Sequence, residues 1–170
     1  MTLPLALLPF QGVDERTVAL LADQLAGKGF ACTVLPAMAM PADAYNRLRD
    51  QYRVERLLEA TRQAVAGRVL GVTNQDLYAE GLNFVFGMAE RPGRAAVITV
   101  ARLASADAAR FQARMLKEAV HELGHTLGLA HCQHPKCVMY FSNTLADTDR
   151  KGADFCAACR ARLAALQVDL

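Results

Sequence analysis

The sequence predicts a single α/β domain built on a mixed sheet of about five strands, with one long helix and a small cysteine-rich C-terminal subdomain. Three observations lead there. Strand-like and helix-like segments alternate before residue 100. A long amphipathic stretch follows, and four of the five cysteines, Cys132, Cys137, Cys156 and Cys159, come after residue 130. At 170 residues the chain is long enough for one domain with its own core. Within it, residues 1–128 read as an α/β part ending in the long helix, and residues 129–170 as the C-terminal part.

The first strand is residues 3–9 (LPLALLP). The opening MTLPLALLPF lacks a positive n-region, contains two prolines and offers no small-residue cleavage site, so it reads as a buried strand rather than a secretory leader. Residues 13–27 (VDERTVALLADQLAG) have helical periodicity and end at a Gly-Lys-Gly stop; residues 30–35 then form a second strand. Cys32, within the apolar FACTVL, reads as a buried core thiol. Residues 36–50 contain two prolines and little periodicity, so a loop is expected, with Met38 and Met40 as filler, before a helix at 53–66. Further strands are expected at 68–73 (RVLGVT), at 82–88 (LNFVFGM), whose faces differ, and at 95–100 (AAVITV).

The long helix starts near Ser105 and Asp107, which supply N-cap chemistry, and runs to about residue 127. With His121 as zero, Met115, Leu116, Ala119, Val120, Leu123 and Leu127 fall between ~120° and ~260° on the helical wheel. This stripe is expected to pack on the sheet. His125 at ~40° and Glu122 at ~100° lie on the other side, which is expected to face a cleft.

Composition excludes several classes. A hydrophobic fraction of 53% with 21% charged residues excludes disorder for most of the chain. A net charge of +2, with no Lys/Arg block longer than two, leaves no footprint for nucleic acid or an anionic membrane. No apolar run reaches the ~18–20 residues of a membrane span. The expectation is a cytoplasmic monomer, in which paired cysteines favour metal over disulfide.

The chemistry is concentrated in HELGHTLGLAHCQHPKCVMY, residues 121–140. His121 and His125, spaced i, i+4, are one turn apart on one helix face, as two imidazoles sharing a zinc ion must be. Glu122 beside them can reach a metal-bound water without being a ligand. On a continued helix His131 would lie ~15 Å along the axis from His121, so the helix must stop. Gly128 can take positive φ and turn the chain so that His131 returns to the metal. The reading is a three-histidine zinc site, against the alternative of histidines on a solvated helix end. The cysteines, spaced C-x4-C-x18-C-x2-C, fit a four-thiolate structural zinc site, against disulfides or a redox pair at CAAC. Adjacent His131 and Cys132 point to separate ions, so two zincs are expected. Only the histidine site keeps a coordination position open for chemistry. His134 reads as an exposed loop residue.

HELGHTLGLAH followed by Met139 resembles the metzincin clan of zinc peptidases, and the fused pattern through Cys159 resembles the archaemetzincins. RDQYRVERLL, GVTNQDLYAEGLNFVFGMA and Arg102–Leu103 extend the resemblance upstream. It implies a metzincin-like fold and zinc-dependent hydrolysis of peptide or protein substrates. His121, His125 and His131 would be the catalytic-zinc ligands, Glu122 the general base and acid acting on a zinc-bound water, and Met139 the Met-turn. Cys132, Cys137, Cys156 and Cys159 would surround the structural zinc. Some metzincins place a functional tyrosine two residues past that methionine; here Phe141 takes the place, and Tyr140 reads as packing. The stretch 82–88 is expected to be the edge strand along which substrate pairs. Two alternatives are a non-catalytic two-zinc scaffold and a zinc-dependent rRNA-processing hydrolase. Glu122 argues against both, since a scaffold needs no base and the latter family carries glycine there.

Overall fold

The computed structural model describes residues 2–168 and Leu170. Its main sheet has five strands: β1 (Leu3–Pro9), β2 (Phe30–Val34), β5 (Val69–Thr73), β7 (Gly87–Ala89) and β8 (Ala95–Thr99), in the order β2-β1-β5-β8-β7. Four strands are parallel, and β7 closes one edge antiparallel to β8. The mixed, five-stranded expectation holds. Every residue of β5 and β8 is buried, because helices cover both faces.

Side-chain alternation sorts the core into two layers. Leu5, Leu7, Leu70, Val72 and Ile98 point to the face covered by α1 (Glu15–Ala26) and α3 (Ala108–Thr126). Leu8, Val69, Ala95 and Val97 point to the face covered by α2 (Val54–Ala64). The stripe expected on α3 does meet the sheet, with Met115, Ala119, Val120, Leu123 and Leu127 buried and Leu116 partly so. Asp107 caps the helix by accepting from the N–H groups of Ala109 and Arg110.

At the other end α3 stops as expected. Gly128 has φ +98°; its N–H donates to His125 O at 2.9 Å, while Leu129 N–H donates to Gly124 O at 3.0 Å. This paired closure satisfies two terminal carbonyls and reverses the chain.

Several expectations need correction. The strand at 82–88 survives only as Gly87–Ala89, because the carbonyls of Leu82 and Asn83 are taken by side chains of Arg49 and Gln51 instead of a sheet partner. The loop at 36–50 contains a 3₁₀ turn, Ala42–Ala44, and the strand β3 (Tyr45–Asn46). With β4 (Gln51–Arg53) and β6 (Leu77–Tyr78) it makes a second sheet of three very short strands, too short to leave a periodic signature. Cys32 is only half-buried: it shares the inward face of Phe30 and packs against the core, but β2 is an edge strand of the sheet. In the C-terminal part, α4 (Leu145–Arg150) was not anticipated, although its capping box of Thr144 and Asp147 was readable; α5 (Ala157–Ala165) lies where a helix is needed to carry the second cysteine pair. No helix of the described residues is long and apolar enough to cross a membrane.

Candidate active site

The last turns of α3 carry His121, Glu122 and His125, and the reversed chain after Gly128 returns His131 to the same place. The three rings form a close triangle, with centroids 4.7, 4.9 and 5.3 Å apart, and one nitrogen from each lies within 4.8 Å of the others. His121 and His125 are buried and His131 is exposed. The polar face of α3 is therefore more enclosed than the helical wheel suggested, because residues after Gly128 fold over it.

Backbone carbonyls determine the tautomers. Nδ1 of His121 donates to Val138 O and Nδ1 of His125 to Leu129 O, each at 2.8 Å. Both Nε2 atoms are left as lone pairs, and they stand 3.1 Å apart. Two lone pairs at that distance repel unless a cation lies against both. Protonation is not the remedy, since burial lowers the basicity of His121, His125 and His131 alike. A divalent metal is, and the set fits zinc: neutral imidazoles oriented by hydrogen bonds at the far nitrogen.

Glu122 is 7% exposed, and burial, followed by the charge of Glu118, raises its pKa to about 8. A bound cation beside it would act in the opposite direction. Neither carboxylate oxygen has a hydrogen-bond partner among the described residues, so the group is free to exchange protons with whatever enters the cleft. Gly87 on β7 makes room for it. A Cβ there would come within 2.8 Å of Glu122 Cγ and 2.9 Å of Oε1.

Met139 is fully buried beside Gly124 of α3, between the two helical histidines in sequence. A Cβ at position 124 would overlap Met139 Sδ and approach Phe155 Cε1 to 3.0 Å. Gly124→Ala is expected to displace Met139 and cost about 1–3 kcal/mol through overpacking. Thermal denaturation would check this, and an unchanged melting temperature would refute the contact's importance.

The four cysteines form a second group. Cys132 Sγ and Cys156 Sγ are 3.7 Å apart, as are Cys137 Sγ and Cys159 Sγ, and all four sulfurs lie within 4.8 Å of one another. Disulfides require about 2.05 Å, whereas four sulfurs at about 2.3 Å from one zinc stand roughly 3.8 Å apart. The N–H groups of His134 and Cys156 point at Cys132 Sγ and Cys137 Sγ, each at 3.4 Å. Cys156 is lowered to about 6, chiefly by the N–H of Cys159, while burial raises Cys137 and Cys159. His134 is exposed and belongs to neither group.

The family model described as Peptidase family M54 matches residues 33–165. The archaemetzincin of Methanopyrus kandleri is 50% identical over 122 residues, covering 71% of this chain and 70% of its own. That of Archaeoglobus fulgidus is 44% identical over 153 residues, covering 89% and 93%. The chain belongs to peptidase family M54, the archaemetzincins. It is accordingly a zinc metallopeptidase acting on peptide or protein substrates. Solved archaemetzincin structures share the fold: that from M. kandleri has a TM-score of 0.88 at 40% identity over 98% of this chain and 96% of its own. The A. fulgidus structure, complexed with malonate, has a TM-score of 0.88 at 42% identity over 94% and 99%.

The upstream motifs that carried the archaemetzincin resemblance have a common purpose. Arg102 holds Asp76 through two contacts of 2.6 and 2.7 Å, and Gln51 joins Asp76 at 3.0 Å. Gln51 and Arg49 then grip the backbone of residues 82–83, while Arg102 stacks on Phe84 at 4.2 Å. This clamp shapes the cleft wall opposite α3. Periodicity could not reveal it, because its members are polar residues far apart in sequence. Also unforeseen are Phe141, whose ring lies 4.8 Å from that of His131, and the buried pair of Glu118 and Lys151. Glu118 had one readable signal, standing four residues before Glu122; Lys151 had none.

Proposed function

We propose that the chain hydrolyses peptide bonds with a catalytic zinc held by His121, His125 and His131, and that Cys132, Cys137, Cys156 and Cys159 hold a second, structural zinc. The observation that carries this reading is the pair of Nε2 lone pairs 3.1 Å apart beside an unpartnered Glu122 in an open cleft. Zinc, when bound, supplies a Lewis acid that polarises a carbonyl and lowers the pKa of water. Glu122 takes the proton of the attacking water and returns it to the leaving amine. The carbonyls of Val138 and Leu129 keep the two helical imidazoles aimed at one point. Met139 packs beneath them as the Met-turn, with its carbonyl accepting from Cys132 N–H at 2.9 Å. That bond links the last histidine of the triad to the cysteine group, so a metal held by the four cysteines would steady the loop that completes the catalytic site. The edge of β7 beside Glu122 offers extended substrate a pairing partner. A free carboxylate facing the cleft argues against a purely structural scaffold.

Metal analysis of freshly purified protein is expected to approach two zincs per chain. A mild chelator should remove the histidine-held ion first, because that site is open and its ligands are neutral. The test is digestion of a peptide library before and after chelation, with zinc restored at the end. Loss and recovery of cleavage supports the reading; cleavage indifferent to chelation, or a single zinc held only by the cysteines in fully loaded protein, overturns it.

A further inference from the structure

The cleft that holds His121 and Glu122 encloses about 250 Å³, and part of its lining takes no part in the mechanism. Its floor is Glu118, one turn before Glu122 on the same face of α3 and 3% exposed. Oε1 of Glu118 receives Lys151 Nζ at 3.2 Å and Thr148 Oγ1 at 3.0 Å. Among the described residues no hydrogen bond is made to Oε2, and Glu118 lines the cleft. Phe84, Phe86 and Phe141 line it as well. Ser142 also lines the cavity and keeps a hydroxyl with no hydrogen-bond partner among the described residues.

We propose that this cavity is a specificity pocket for a substrate side chain with an apolar stem and a cationic end, lysine or arginine, whose head group donates to Glu118 Oε2. The inference rests on the peptidase reading above and adds the class of residue the enzyme selects. The aromatic walls suit a methylene stem and interact favourably with a cation over their faces. The floor presents an acceptor, the oxygen of Glu118 that Lys151 and Thr148 leave free, so a donor-bearing guest is matched and an acidic one is not. An aliphatic guest of equal length would strip water from Glu118 Oε2 and return nothing. Lys151 does not take the guest's place. Its side chain is 0% exposed behind the floor, where it pins the carboxylate in position through the other oxygen.

The experiment scans lysine, arginine, norleucine and glutamate through each position of one parent peptide. Binding is measured by fluorescence anisotropy on zinc-loaded Glu122→Gln protein, and hydrolysis on wild type. At one position lysine or arginine is expected to bind at least about tenfold tighter than norleucine, with glutamate weakest, because a site built to hydrogen-bond rejects an analogue lacking the donor. The double variant Glu118→Met, Lys151→Met should lose that preference and accept norleucine. Both partners are replaced because removing one leaves the other buried alone, whereas apolar replacement of both is tolerated. Retained norleucine binding shows that the double variant is folded. Absence of any position favouring a basic residue, or a preference surviving in the double variant, overturns the proposal. Selective binding without hydrolysis by wild type leaves the pocket standing and overturns the peptidase mechanism; hydrolysis without basic preference does the reverse.

Discussion

Glu122→Gln protein is expected to hold both zincs, melt near the wild-type temperature and lose peptide hydrolysis by roughly 10²–10⁴ in kcat, the range that positioned acid–base groups contribute. The substitution preserves shape, which matters because Glu122 packs closely against Gly87. It removes the proposed proton carrier and none of the three imidazoles, since among the described residues Glu122 makes no hydrogen bond to the histidines. Turnover comparison with matched metal analysis would check this, and a variant within a few-fold of wild type would disprove the assigned role. A variant that loses the histidine-held zinc would show instead that Glu122 is part of the metal's support.

Lys151→Met alone is expected to destabilise the protein by about 3–5 kcal/mol, because it leaves Glu118 in the interior without its counter-charge. The side chains of Lys151 and Glu118 are 0% and 4% exposed, so solvent does little to screen the loss. In a domain of this size that corresponds to a fall in melting temperature on the order of 10 °C. The double variant Glu118→Met, Lys151→Met should recover most of it. Thermal denaturation of the three proteins forms the test. A single variant losing under about 1 kcal/mol would show that Glu118 is satisfied by Thr148 and water alone. Lys151 also lies 3.5 Å from Tyr140 O, next to Met139, so the single variant should loosen the Met-turn as well.

What could be read from residues alone follows periods that water imposes. The strands of the main sheet were legible wherever both faces are buried, as in VLGVT and AAVIT, because a strand covered twice becomes a continuous apolar run. The apolar stripe of α3 was legible for the same reason. The two groups of potential metal ligands were legible because donor type and spacing are constraints of coordination chemistry, and Gly128 marked the turn that brings His131 back to the other two histidines. The stretch at 82–88 misled, since its alternation reflects a cavity wall rather than a strand, and its carbonyls are bonded by Arg49 and Gln51.

The sequence by itself thus determined the α/β class, the long helix and the membership of both donor groups, all of which depend on local pattern or fixed spacing. Only the tertiary structure decided that Glu118 is paired with Lys151, that Gly87 and Gly124 make room for Glu122 and Met139, and that Arg49, Gln51, Asp76 and Arg102 act together on one loop. Each of these depends on side chains from segments distant in the chain meeting at contact distance. Hydrogen bonds and steric limits act over a few ångströms of space, and a lone polar residue carries no period that would announce its partner in advance.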